Sequence, residues 1–160
     1  MNTIAMTDTG HARRHAAFVA MLAALAGLMF GLDVGVISGA QQFIQREFAV
    51  SDRVLENIVS SMMVGAAVGA ALAAWLSMHF GRKRSLVFSG SLFVIGSLIC
   101  AAAWSPDALI GARFVLGLAI GIAAFTAPLY LAEIAPPDRR GAMISTYQLM
   151  ITIGIFVAFL

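Results

Sequence analysis

The chain has 160 residues, 61% of them hydrophobic and only 11% charged, with a mean hydropathy of +0.92. That leaves too little polar surface to coat a soluble globule of this size and points to an all-α integral membrane protein. The formal charge of +2 is too small to suggest a nucleic-acid partner, and the basic residues fall in short clusters between apolar runs instead of forming a stripe.

Residues 1–16 read as a cytoplasmic N-terminal tail, and residues 17–160 as a bundle of membrane-spanning helices. The apolar run after Arg13 and Arg14 is too long for a signal peptide, and no small-residue cleavage site precedes a soluble body. A span needs roughly 20 apolar residues. Five stretches qualify, at about 17–40, 57–78, 85–104, 108–132 and 142–160. The segments between them carry the Pro, Asp, Glu and Arg expected where backbone meets water. Arg13, Arg14, Arg82, Lys83, Arg84, Arg139 and Arg140 fall on one side of the alternating spans, against Arg46 and Arg53 on the other. This bias puts the N-terminus in the cytoplasm and the chain in the plasma (inner) membrane as a multi-pass protein.

Small residues recur every fourth position: Gly27, Gly31, Gly35 and Gly39 in the first span, Gly65 and Gly69 in the second, Gly117 and Gly121 in the fourth. Such stripes let helices approach closely, and their density favours a tightly packed bundle over independent anchors. Cys100 lies within the third span and reads as a small packing residue.

Two opposite charges interrupt the apolar runs. Asp33 lies seven residues before the expected outer end of the first span and Arg113 five residues inside that of the fourth, depths of roughly 10 and 8 Å at 1.5 Å per residue. A charge at the bilayer centre costs roughly 3 kcal/mol on insertion scales, so each is a candidate functional group. Arginine keeps its proton, whereas a carboxylate's proton affinity rises with burial and falls beside a cation, so only Asp33 could carry a proton. A static pair that fixes helix register, or an arginine reaching toward headgroups, accounts for the same charges. No Ser/His, paired-Asp or metal-ligand set lies within the spans, and His11, His15 and His79 sit at the cytoplasmic face, so an enzyme is not expected.

The stretch "VLGLAIGIAAFTAPLYLAEIAPPDRR" (115–140) resembles the signature of the sugar porters of the major facilitator superfamily, with Gly117, Gly121, Tyr130, Glu133 and Arg140 at the family spacing. The resemblance extends through "AGLMFGLDVGVISGA" (26–40), "GRKR" (81–84) and "RGAMISTYQLMITIGI" (140–155), and is greatest to the bacterial galactose, arabinose and xylose proton symporters. It implies a twelve-helix fold built from inverted three-helix repeats, of which five helices are present here. Asp33 matches the family's proton-binding carboxylate and Arg113 its arginine partner. Phe30 matches a substrate-site aromatic and Gln148 a glutamine that bonds sugar hydroxyls, with Ile151 and Ile155 as the apolar wall. An amide offers a polyol both donors and acceptors; apart from the resemblance, Gln148 could equally bond another helix. Arg82, Glu133 and Arg140 match a network that latches the cytoplasmic gate, though "GRKR" alone also serves as a positive-inside anchor. Ala74 and Met78 stand where the superfamily's loop motif has glycine and aspartate, which removes one acidic partner of the basic cluster.

The function implied is symport of a monosaccharide (hexose or pentose) with a proton by alternating access, with no cofactor other than the coupling proton. The expected partners are the lipid bilayer and the missing C-terminal half of the transporter. The 160 residues are accordingly expected to be a fragment, inactive alone. An uncoupled sugar facilitator would share most of these motifs, and a non-transporting relic or sensor fragment would account for the short length.

Overall fold

The computed structural model describes the backbone of residues 4–160 and the side chains from Phe18 onward; Arg13 and Arg14, counted in the charge bias, lie outside those side chains. Five helices follow in order: α1 (Ile4–Glu47), α2 (Asp52–Phe80), α3 (Arg82–Ala101), α4 (Pro106–Ile134) and α5 (Arg140–Ala158). All five contain a stretch long and apolar enough to cross a membrane, that of α1 beginning at Phe18.

The spans agree in number and order with the sequence reading, and their ends differ for local reasons. Helix α1 continues through residues 41–47, expected as a connection, and includes most of the expected tail. No glycine or proline follows Gly39 in this stretch, and a helix satisfies its own backbone in water as well as in lipid. It stops at Ala49, whose φ of +47° is left-handed, and Ser51 then precedes α2. Helix α3 ends at Ala101, short of the expected Trp104; its last turn tightens as the Ala103 N–H donates to the Cys100 carbonyl at 3.3 Å, and Pro106 then keeps Ser105 out of the helical region. Pro106 opens α4, where its missing N–H costs nothing. Ser105 Oγ accepts the Ala108 N–H at 3.2 Å as a helix cap.

A single residue separates α2 from α3. Gly81 has φ +80° and ψ 159°, a region open essentially to glycine alone. Its carbonyl accepts both the Ser85 N–H at 3.2 Å and the Ser85 hydroxyl at 3.0 Å, which seals the first turn of α3.

The chain divides into two compact units. One joins α1 up to Val36 with Pro128–Leu160, and the other is Ile37–Ala127. The division in α4 falls at Pro128, which lacks the N–H that an uninterrupted helix would use. In the first unit α1 and α5 run parallel along a seam of small residues. A Cβ on Gly27 would meet Tyr147 and Ile151, one on Gly31 would overlap the Ile151 carbonyl, and one on Gly35 would meet Ala158. In the second unit α2 and α4 form another parallel seam, with Gly65 and Gly69 against Phe114 and Leu118, and Gly117 and Gly121 against Met62, Ala66 and Ala70. Parallel pairing is what the topology requires, because helices two or four apart in an alternating set of spans point the same way. Helix α3 adds Gly96, packed on the Leu116 side chain.

Helix α4 carries the densest core. Between Phe114 and Ala127 its only polar residue is Thr126, and Ala112, Leu116, Ala119, Ile122 and Ala127 are buried, as befits a helix apolar all round. Met63, Val94, Leu98 and Phe156 by contrast lie more than half exposed. That pattern would penalise a protein in water and suits one whose outer surface meets hydrocarbon.

Candidate functional site

In the unit formed by Ile37–Ala127, Arg113 sits in the second turn of α4 and is only 7% exposed. Its Nη1 donates to the Met62 sulfur of α2 at 3.5 Å. The contact follows from the glycine seam: Gly117, one turn after Arg113, lets the Met62 carbonyl approach to where a side chain would otherwise stand. The Met62 side chain is thereby delivered to the level of the guanidinium. A thioether is a weak acceptor with no charge, so it orients one N–H of Arg113 without neutralising the cation.

In the other unit, Phe30 and Asp33 are both half-buried on α1. They lie three residues apart, on one side of the helix and off the Gly27–Gly31–Gly35 stripe that packs on α5. On α5, Gln148 is exposed, Ile155 half-buried and Ile151 9% exposed. Ile151 is committed to the seam, with its Cγ1 at 3.3 Å and its carbonyl closer still to where side chains on Gly27 and Gly31 would begin. Ile155 adds its main-chain N and O to the same seam, beside Gly31 and Gly35. The structure places the two isoleucines expected as a wall in the seam that holds α5 on α1, and Ile155 keeps the larger open surface.

The residues expected at the cytoplasmic side are distributed over both units. Arg82 is half-buried in the first turn of α3. Its Nη1 donates to the Ser77 carbonyl at 2.9 Å, capping the last turn of α2 with a cation where the helix dipole favours one. Glu133 is exposed in the last turn of α4 and Arg140 is exposed at the first residue of α5, on either side of Pro136 and Pro137. Between them Arg139 Nε lies 3.7 Å from Asp138 Oδ2, with both side chains well exposed. Asp33, Arg82, Arg113 and Glu133 all have interaction partners.

Sequence reasoning missed Met62. The signal was present in the glycine stripes: setting Gly65 and Gly69 alongside Gly117 and Gly121 in parallel register brings Met62 level with Arg113. Stripes alone do not say which helix meets which. Among the described residues no cluster of three or more His, Cys, Asp or Glu could hold a metal ion.

Comparison with known proteins gives a consistent result. Residues 19–160 match the family model described as "Sugar (and other) transporter". The chain is 60% identical over 143 residues to the galactose-proton symporter of Escherichia coli (strain K12), covering 89% of this chain and 31% of that protein. It is 56% identical over 148 residues to the arabinose-proton symporter of the same strain, covering 92% and 31%. Among solved structures it superposes on the proton:xylose symporter XylE, of the major facilitator superfamily, bound to 6-bromo-6-deoxy-D-glucose. The TM-score is 0.81 at 27% identity, over 91% of this chain and 36% of that one. The inward-open form of the E. coli xylose transporter gives 0.78 at 27% identity, over 89% and 38%. The chain spans about a third of the length of the curated relatives it matches.

Proposed function

The chain belongs to the sugar transporter family, and we propose that it carries the proton-coupling part of a monosaccharide–proton symporter of the bacterial plasma membrane. The observation that carries this reading is a buried arginine, Arg113, in an otherwise apolar α4, together with a carboxylate, Asp33, within the apolar run of α1. Proteins named as galactose- and arabinose-proton symporters match this stretch at 60% and 56% identity, which supports a hexose or pentose as substrate.

Asp33 takes the proton and Arg113 is the fixed cation that tunes it. Protonation neutralises Asp33, which shifts the balance between outward- and inward-facing states. Sugar and proton can move that balance only through their different affinities for the two states. Phe30, Gln148, Ile155 and, at the base, Ile151 form this chain's side of the sugar site. Arg82, Glu133 and Arg140 form its side of the cytoplasmic gate. The N-terminus is cytoplasmic, which the clustering of Arg82, Lys83, Arg84, Arg139 and Arg140 supports. The remaining sugar contacts come from a C-terminal half, the partner against which this one rocks.

The test is a chimera in which this chain replaces the corresponding third of the E. coli galactose-proton symporter, assayed in cells for galactose-driven alkalinisation of the medium. The parent chimera should alkalinise the medium, and Asp33→Asn should abolish that signal while galactose exchange persists. Coupled alkalinisation that survives Asp33→Asn would overturn the assignment. Sugar entry with no proton movement in the parent would favour the uncoupled facilitator.

A further inference from the structure

Resting on the sugar-transport reading above, we infer that a groove between the outer ends of α1 and α2 is a second monosaccharide site, which shares no residue with the one built on Phe30 and Gln148. The groove is a cavity of about 310 Å³ lined by Gln41 of α1 and by Leu55, Glu56, Val59, Ser60 and Met63 of α2, all within the unit Ile37–Ala127. Local sequence builds it. Gln41 and Gln45 lie one turn apart on α1, as Asp52 and Glu56 do on α2. Gln45 Nε2 donates to Asp52 Oδ1 at 2.6 Å, which ties the two helices together at their joint. One turn further in, the same two faces border the cavity. Leu55, Val59 and Met63 recur at helical spacing as its apolar floor, from roughly 5 to 17 Å along α2.

A monosaccharide presents hydroxyls on its edges and C–H groups on its faces. Gln41 offers amide donors and an acceptor, Glu56 a carboxylate that accepts, and Ser60 a hydroxyl that does both. Ser60 Oγ reaches the Asn57 carbonyl only at 3.4 Å, long for such a bond, so a nearer sugar oxygen can take its proton. The floor of Leu55, Val59 and Met63 meets the C–H face. A few polar groups on an apolar lining is the common make-up of a small-molecule site. Other occupants fit less well. Lipid tails would leave the Glu56 charge unsolvated, an anionic headgroup would be repelled by it, and one carboxylate supplies too few oxygens for a metal cation. Glu56, Ser60 and Met63 are exposed, so the groove is open along one side. The opposite end of α2 carries the basic cluster Arg82, Lys83 and Arg84, which on the proposed topology turns the groove toward the outer aqueous phase, where sugar arrives.

The experiment uses the galactose-symporter chimera freed of cysteines (Cys100→Ala in this chain), with Met63→Cys as a reporter in the groove and a membrane-impermeant maleimide added to intact cells. The amount of protein in the membrane reports that each variant has assembled. Galactose should slow the labelling saturably, about threefold at twice its half-maximal concentration, because an occupied site protects by the factor 1 + [L]/Kd. Protection should persist in Gln148→Ala, which removes the amide of the other sugar site, and should be lost in the double variant Gln41→Leu, Glu56→Gln. Labelling that galactose never slows, protection that vanishes with Gln148→Ala, or protection that survives the double variant overturns the second site. So does a Met63→Cys that the maleimide cannot reach, since protein or hydrocarbon then covers the groove. Should the double variant fail to assemble, Gln41→Leu alone decides, lost protection counting for the site and intact protection against it. A parent chimera that neither takes up nor exchanges galactose overturns the transport reading itself. A parent that transports galactose yet shows no protection overturns the second site alone.

Discussion

The main-chain carbonyl of Ile151 in α5 occupies the space that a side chain on Gly31 of α1 would need, and Gly154 stands in the same relation to the carbonyl of Leu28. Two backbones in mutual contact leave no flexible side chain to give way. Gly31→Ala should therefore force α1 and α5 apart and cost about 1–3 kcal/mol. Gly39→Ala, on the same helix with nothing within 4 Å of its new methyl, should be neutral or slightly stabilising. Thermal unfolding of the purified chimera checks both. Equal melting temperatures for the two variants would mean that the seam is loose.

Gly81 tests the one-residue joint between α2 and α3. Its φ of +80° with ψ 159° is a conformation that costs other residues on the order of 1–3 kcal/mol. Gly81→Ala should lower the melting temperature measurably even though its methyl would meet no neighbour. Gly90→Ala, in open space within α3, should raise it slightly through helix propensity. The pair separates backbone strain from crowding.

Ser105 offers a smaller and cleaner effect. Its hydroxyl accepts the Ala108 N–H at the start of α4, and losing such a cap typically costs about 1 kcal/mol. Ser105→Ala should destabilise by that amount and Ser105→Asp should recover it, as read from unfolding of the chimera. A serine-to-alanine change with no effect would show the Ala108 N–H to be satisfied by water.

These contrasts mark what the sequence disclosed and what it withheld. The five spans and their order were legible because twenty-residue apolar runs leave few alternatives. The glycine stripes announced close approach, yet pairing α1 with α5 and α2 with α4 is a tertiary choice that periodicity does not encode. Helix α1 runs on past the expected span because helix propensity carries the backbone through the polar residues of 41–47, which a hydropathy pattern cannot tell from a loop. Asp33 and Arg113 stood out because charge in apolar runs is costly. Met62 stayed hidden, since a methionine among apolar neighbours gives no sign that its sulfur meets a cation.

Arg113 itself invites a geometric test. A lysine keeps the charge but replaces the planar fork by a single ammonium on a flexible stem. The fork has one nitrogen committed to Met62 while its other N–H groups point in fixed directions, so the two side chains are not interchangeable there. Arg113→Lys in the chimera should assemble and bind galactose, yet lower coupled uptake by about tenfold or more, the consequence of losing roughly 1.4 kcal/mol of positioning. Uptake within twofold of the parent would mean that charge alone suffices at this position.

The last prediction concerns Arg82, proposed above as a gate residue and observed as the donor to the Ser77 carbonyl. As a gate residue it would act only in the state in which the cytoplasmic mouth is closed. As the donor to the Ser77 carbonyl it caps the last turn of α2, and a charge-assisted bond of this kind contributes about 1.5–3 kcal/mol. Arg82→Ala should therefore lower the melting temperature of the chimera as well as its transport. Arg82→Lys keeps a cation near the end of α2 with less exact geometry, so it should recover most of the stability through the helix dipole but less of the transport, because an ammonium matches a carboxylate less well than a guanidinium fork does. A melting temperature untouched by Arg82→Ala would remove the cap from the account and leave the gate alone. Full transport in Arg82→Lys would show that the cytoplasmic network needs only a positive charge at that position.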